Sequence, residues 1–410
     1  MIFLANLRAS SAPWLIPPGL IGLGLYVTDQ VFREAQGYGV GAGETAALGV
    51  VAISPVVAGA AAWEAGRQQR LGDLSLVRVR GSASTWLRAV APVLILHLVL
   101  VGCAVALARF RMGVWPEAQG WWGVLHLLLL PWGWLVIGWA LGVMIPRTVA
   151  APVAAAVPWV ALAATHAMSA PFWGHLGGFI TEGSTLTDVL DPLVFLVPWL
   201  VTAALAGAVM LLTGARRRPW LALVSAAVAM GTLVTGRAVV SDWGHGPLRV
   251  PRAGHTVCEG RAPVVCLPEE YAEHLDEVRR STLPRLDALR EAGLPAPRTI
   301  GMASRELGPV AGTWPLSWSP GLPPGEFDVV LARAAVGGTA ARHGVRDCGW
   351  PSIADVWAMV VMGTPERVAR DILVDGEWAE LRRVRGLPAP QQADWFTTTA
   401  REQRHCAVGS

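Results

Sequence analysis

Few side chains in this sequence have the types and spacing for chemistry. Glu269, Glu270, Glu273 and His274 fall on one expected helix, and carboxylates beside an imidazole can hold zinc. The His-Glu-x-x-His spacing of a zinc hydrolase is absent, so a solvated acidic helix face is the expected reading. No Gly-x-Ser-x-Gly nucleophile elbow occurs, and no catalytic constellation or metal site is expected. His97, His126 and His166 lie within or near the ends of apolar runs. There an ionisable group either serves a transport path or, as neutral imidazole, hydrogen-bonds between helices; the second role is favoured. No Asp or Glu is expected deep in any apolar run, which argues against a proton- or sodium-coupled carrier.

The basic residues add a negative constraint. All 33 are arginine, as a GC-rich, for example actinobacterial, genome would give. A phosphate-binding loop of the Gly-x-x-x-x-Gly-Lys-Ser/Thr kind needs lysine, so none is present. Nucleotide-driven work, if any, must be powered by another polypeptide.

The arginines concentrate between two apolar runs, from Trp63 to Arg88. Arg67, Arg70, Arg78, Arg80 and Arg88 stand there against Glu64 and Asp73. Such a loop is held on the cytoplasmic side. Leu71, Leu74, Leu76 and Val77 recur at helix-like spacing, so the segment is expected to lie along the inner surface and to receive a push. A solvated loop that only sets topology is the plain alternative.

Composition supplies the elements around this elbow. The chain is 53% hydrophobic and only 15% charged, with a net charge of +3 and a mean hydropathy of +0.44. Soluble domains carry nearer a quarter charged residues. Apolar residues concentrate before about Val240, and many of the 20 tryptophans sit near run ends, as interfacial anchors do. Seven spans are expected, six forming a core: 12–28, 46–63, 87–108, 121–145, 150–168, 192–213 and 220–240. Met1 to Ser11 shows no signal-peptide cleavage pattern. Residues 29–44 are expected to form a polar outer loop. Ser169 to Asp191 is semi-apolar and broken by glycine, which fits two short helices dipping into the outer leaflet. An ordinary outer loop with an amphipathic helix fits as well. Arg147 and Arg216 to Arg218 join the elbow on the inner side, which puts the N-terminus in the cytoplasm and the C-terminus outside.

Residues 241–410 are domain-sized. Four of the five cysteines lie there, Cys258, Cys266, Cys348 and Cys406, an even number suited to two disulfides in an oxidising compartment. Of three possible pairings, Cys258 with Cys266 and Cys348 with Cys406 is preferred. Helices are expected over 268–292, 352–362, 365–373 and 389–404. Strands are expected over 299–302 and 327–332. The fold class is thus a polytopic α-helical membrane protein (1–240) with a C-terminal extracellular α/β domain (241–410) stapled by disulfides.

The order of parts, with Ala60-Ala61-Ala62-Trp63-Glu64-Ala65-Gly66-Arg67 before a basic segment and Trp86-Leu87-Arg88, resembles the ABC-2 type permeases, the fold of type V ABC exporters. Val265-Cys266-Leu267-Pro268-Glu269, with Cys258 upstream, is similar to actinobacterial members. The resemblance implies a plasma-membrane transport subunit with no chemistry of its own. ATP and Mg would be bound by a separate ATPase dimer. A second permease copy or a related one would complete the path through the bilayer, with no nucleic acid involved. The elbow 64–86 would be the coupling element, through Glu64, Arg67, Arg70, Asp73, Arg78 and Arg80. The segment 169–191 would be the outer gate, with Phe172, Trp173, Phe179 and Asp188. Span seven and the large outer domain depart from the common pattern. The alternatives are a membrane-anchored sensor or binding protein whose outer domain is the working part, and a membrane-bound hydrolase.

Overall fold

The computed structural model describes residues 7, 9–29, 37–70, 82–168, 170–180, 182–215, 218–252, 256–302, 304, 310–323, 325–340 and 351–402, without the side chains of 28, 29, 82–85, 166 and 167. The chain divides into two compact units, 1–185 with 189–249, and 186–188 with 250–410.

The first unit is helical: α1 (Ala12–Asp29), α2 (Gly39–Ala47), α3 (Val50–Arg70), α4 (Ser82–Met112), α5 (Trp121–Met144), α6 (Arg147–Ala163), the short α7 (Phe172–Gly177), α8 (Leu193–Gly214) and α9 (Trp220–Val240). Among the described residues, five stretches are long and apolar enough to cross a membrane: Gly39–Arg70, Trp86–Met112, Ala118–Met144, Leu193–Gly214 and Trp220–Val240. Their length and composition are those of a polytopic membrane protein. The expected first and fifth spans are shorter apolar helices, Ala12–Val27 and Arg147–Ala163. The fifth stops early because the chain turns into a 3-10 turn at Ala164–Ala167.

The expected polar loop 29–44 is corrected over its second half. Gly39–Ala47 is helical and every residue in it is buried. Its glycines serve close approach, not flexibility. A Cβ on Gly43 would lie 1.8 Å from the Gly120 carbonyl oxygen, and one on Gly123 would lie 2.2 Å from the Gly43 oxygen. The same contact recurs further along. A Cβ on Gly138 would sit 2.2 Å from the Ala58 oxygen, and one on Gly142 would sit 2.2 Å from the Ala62 oxygen. The pairs 43/123, 58/138 and 62/142 advance together, so the Gly39–Arg70 stretch and α5 run side by side in the same direction with backbones touching. Small residues allow this, and in lipid such close packing holds helices together.

Elsewhere α4 packs on α1 and α3, and α8 on α5. The outermost helix, α9, rests on α8 through Ser225, whose hydroxyl donates to the Ala208 carbonyl at 2.7 Å. Leu223, Met230 and Val234 on α9 stay exposed.

The second unit has a sheet of four short strands, in the order β3 (Thr256–Glu259), β4 (Val264–Pro268), β5 (Thr299–Gly301), β6 (Thr313–Pro315). Two other short strands, β1 (Asp188–Leu190) and β2 (Arg249–Pro251), mark where the chain passes between units. β3 and β4 are antiparallel, while β4–β5 and β5–β6 are parallel. A parallel neighbour needs a crossover, and α10 (Leu275–Glu291) supplies it between β4 and β5. The remaining helices are α11 (Glu326–Ala340), α12 (Ile353–Val361), α13 (Glu366–Ile372), α14 (Asp375–Arg385) and α15 (Ala389–Glu402).

The strand expected over 327–332 is corrected: it lies inside α11. A short apolar run does not distinguish strand from helix by periodicity. Here Leu331, Ala332, Ala334, Ala335, Val336 and Gly337 are buried nearly all round the helix, and the alanine-rich continuation favours helix over strand. Trp357 on α12 is fully buried against Phe396, and its indole donates to Gln392 at 3.1 Å.

The glycine seam is open to a direct test. Gly138→Ala or Gly142→Ala is expected to lower thermal stability in detergent by about 1–3 kcal/mol, the usual cost of overpacking. Gly102→Ala and Gly207→Ala, whose added Cβ would meet nothing within 4 Å, are expected to be neutral. Equal melting temperatures for all four would remove the seam from the argument.

Candidate functional site

The elbow begins as the last turns of α3. Because the helix continues to Arg70, Glu64 faces inward and is fully buried. One carboxylate oxygen accepts from the Ser11 amide at 3.0 Å and from the Ser11 hydroxyl at 3.3 Å. The other pairs with Arg67 Nε at 2.7 Å. Arg67 in turn donates through Nη1 to the Ala9 carbonyl at 3.4 Å. The guanidinium of Arg147, at the start of α6, lies 4.6 Å from the centre of the Trp63 ring, and Gln69 donates to the Val143 carbonyl. This end of α3 is therefore clasped to the N-terminal segment, to α5 and to α6.

The expected surface role of Glu64 is corrected in placement: its charge is spent internally on Ser11 and Arg67. Arg70 is exposed. Asp73, Arg78 and Arg80 lie outside the described residues, and Ser82–Met112 takes up the chain again as α4.

Among its described residues, the segment expected as a gate holds one short helix, α7, not two. Phe172 stacks with Trp173, their ring centroids 4.8 Å apart, and carries the Arg237 guanidinium at 5.1 Å. Trp173 is exposed, whereas Phe179 is buried in the helical core. Asp188 does not join them. It belongs to the second unit, where it is buried and accepts from Thr187 at 3.0 Å and from Ser304.

Two buried groups hold this segment down. The first is His126 on α5. Its Nδ1 accepts from the Trp199 indole at 2.8 Å, so the ring proton sits on Nε2 and donates to the Gly178 carbonyl at 2.7 Å. Phe195 and Trp199 enclose the ring, and Trp122 stacks on both. Gly178 has φ +87°, and a Cβ there would lie 2.8 Å from Pro198, so only glycine suits the turn after α7. The second is Glu44 on α2. Its two oxygens accept from the amide of Ser184 at 2.6 Å and from the hydroxyl of Ser184. That hydroxyl accepts from the Leu190 amide at 2.9 Å. Beside it Arg249 pairs with Glu182 at 2.9 Å.

Glu44 was not expected here. It overturns the reading that no acid lies deep in an apolar stretch, since Gly39–Arg70 contains it and it is buried. The readable signal was one acid among nine otherwise small or apolar residues. His97 donates through Nε2 to the Leu127 carbonyl at 2.8 Å and joins α4 to α5. The side chain of His166 is outside the described residues.

In the second unit, Cys258 and Cys266 form a disulfide, as preferred from the sequence. Cys348 and Cys406 lie outside the described residues, and Cys103 is a free, half-buried thiol packed in the helical core. The acidic set does not converge: Glu270 pairs with Arg252 at 2.7 Å, while His274 faces Glu273 and Glu277 at 3.5 and 3.6 Å.

Comparison with known proteins reaches only this second unit. Residues 265–406 match a family described as a domain of unknown function, DUF7224. No curated protein and no solved structure matches the chain.

Removing the donor to His126 tests the clasp on Gly178. Trp199→Phe keeps the ring stack and deletes one buried hydrogen bond. It is expected to cost about 1 kcal/mol of stability and to speed proteolysis within 172–180. Unchanged cleavage there would show that the imidazole does not secure the segment.

Proposed function

We propose that this chain is the membrane-embedded permease subunit of an ABC transporter of the ABC-2 type, exporting a hydrophobic or amphipathic compound such as a peptide, lipid or antibiotic. The chain performs no chemistry. A separate ATPase dimer, holding ATP and Mg, docks from the cytoplasm on the elbow 64–86. A second permease copy or a related permease completes the path, and the part after residue 240 stands outside the cell.

The observation that carries this reading is the clasp at the end of α3. Glu64 and Arg67 tie that end to Ser11 and Ala9, while Arg70 stays exposed just beyond. A displacement applied at Arg70 would therefore not be lost in a loose loop. It would pass into α3 and, through the backbone contacts of the glycine seam, into α5. Elements locked in this way move as bodies, which is how a partner's closure is turned into alternating access. At the other end of α5, His126 holds Gly178. That gives one continuous mechanical line from the elbow to the expected gate.

A second reading has one observation in its favour. The family match is confined to 265–406, so the matched family describes most of the second unit and none of the helical one. A membrane-anchored sensor or binding protein would use that module as its working part.

The test is purification of the full chain from its native membrane, followed by an ATPase assay. The ABC reading expects an ATPase to co-purify. Arg70→Glu with Arg78→Glu is expected to cut its recovery and its coupled turnover at least tenfold, with the permease still folded. Recovery and turnover equal to wild type would sink the elbow's role. Absence of any ATPase would favour the membrane-anchored module.

A further inference from the structure

The geometry points to the Cys258–Cys266 disulfide as a thiol–disulfide exchange site that takes a dithiol reductant, and not only as a staple. The proposal stands independently of the transport reading.

Three observations carry it. First, β3 is an edge strand among the described residues: in the order β3-β4-β5-β6 it pairs there with β4 alone. All four of its residues, Thr256, Val257, Cys258 and Glu259, are exposed, so it buries no side chain. Second, Cys258 stands directly opposite Cys266 in the antiparallel ladder, with 4.1 Å between their Cα atoms. The bond therefore spans two neighbouring strands and closes only a short stretch of chain, eight residues in sequence separation. A loop that short takes less freedom from an unfolded chain than a long one does, so this bond stands at the low end of what disulfides contribute. Third, the strand behind it is held without it. Val265 and Leu267 of β4 are fully buried, and β4 pairs with β5 on its other edge. Apart from the ladder and the disulfide, β3 lies among the described residues near α10 and the turn Glu269–His274, with a half-exposed ion pair, Glu259 with Arg279 at 3.6 Å. Exposed surface pairs hold little. Breaking the bond thus frees one edge strand and leaves the buried sheet in place.

The sulfur of Cys258 is the accessible one, since Cys266 is half-buried. A thiolate of the dithiol attacks Sγ of Cys258. The Cys258–Cys266 bond breaks, and its electron pair leaves on Cys266, which takes up a proton. The dithiol's second thiolate then attacks its own sulfur in the mixed disulfide. Cys258 leaves as thiolate and is protonated. Two electrons pass from the dithiol, now a disulfide, to the cystine, now two cysteines. Exposure of the attacked sulfur is what makes such a bond exchangeable. Opening it also uncovers the outer backbone groups of β4, a free sheet edge.

The experiment uses the full chain in detergent with dithiothreitol as the probe. Thiols are trapped by alkylation and assigned by mass spectrometry, alongside near-ultraviolet circular dichroism and amide exchange. Cys258 and Cys266 are expected to become reduced while the dichroism is unchanged. Exchange in 256–259 should rise at least tenfold, and exchange in 264–268 and 299–301 should hold. A bond that opens only as the dichroism collapses, or exchange that rises equally in 264–268, would overturn the proposal. The double variant Cys258→Ser with Cys266→Ser is expected to fold and to reproduce the reduced exchange pattern. Its failure to fold would make the bond structural and would likewise overturn the proposal.

Discussion

Backbone contact between the Gly39–Arg70 stretch and α5 is the constraint on which the helical unit depends. At Gly43, Gly120, Gly123, Gly138 and Gly142 there is no room for a single added carbon. Two helices that approach so closely share van der Waals contact along their whole length, which replaces the hydrophobic drive that lipid cannot supply. The contact also sets direction and register. Once these two stretches run parallel, α4 must return the chain between them, and α6 and α8 take their places on the flanks.

Polar groups inside such a unit need partners, because nothing in an apolar surround supplies them. Glu64, Glu44, His126 and His97 each obey this rule. Glu64 takes Ser11 and Arg67; Glu44 takes Ser184; His126 takes Trp199 and Gly178; His97 takes Leu127. Each bond reaches across to another segment, so each of these four groups also acts as a tie. The ties fall at both ends of the seam. The segment 170–190 is consequently fastened at Gly178 and at Ser184, and Phe172 and Trp173 between the helical core and those ties are the less covered part of it.

The second unit rests on a different balance. Its sheet is small, and its burial comes from β4 and β5 against α10 and from Trp357 among Phe396 and Trp395. The antiparallel edge strand adds backbone pairing but no apolar burial. That is why the disulfide lies where it contributes least to the core and is most open to solvent.

The long apolar helices were legible in the sequence because hydropathy and length are local properties. So was the Cys258–Cys266 bridge as one of three pairings, and so were the helices at 352–362 and 365–373. Other features depend on which residues meet across the chain. Residues 39–44 read as part of a polar outer loop until Gly120 and Gly123 are found against them. Phe327–Ala332 reads as a strand until the alanine-rich run after it is seen to be packed nearly all round as one helix, α11. Asp188 and Phe172 fall in the one segment read as a gate, yet they belong to different units. Glu64 and Arg67 read as surface charges because nothing local announces that Ser11 and Ala9, over fifty residues earlier, will cover them. Composition and periodicity thus determined that this is a polytopic helical chain with a cysteine-bearing α/β part. Which polar groups are buried, and what they hold, was decided by tertiary packing alone, since a buried partner is defined by distance in space and leaves no mark in spacing along the chain.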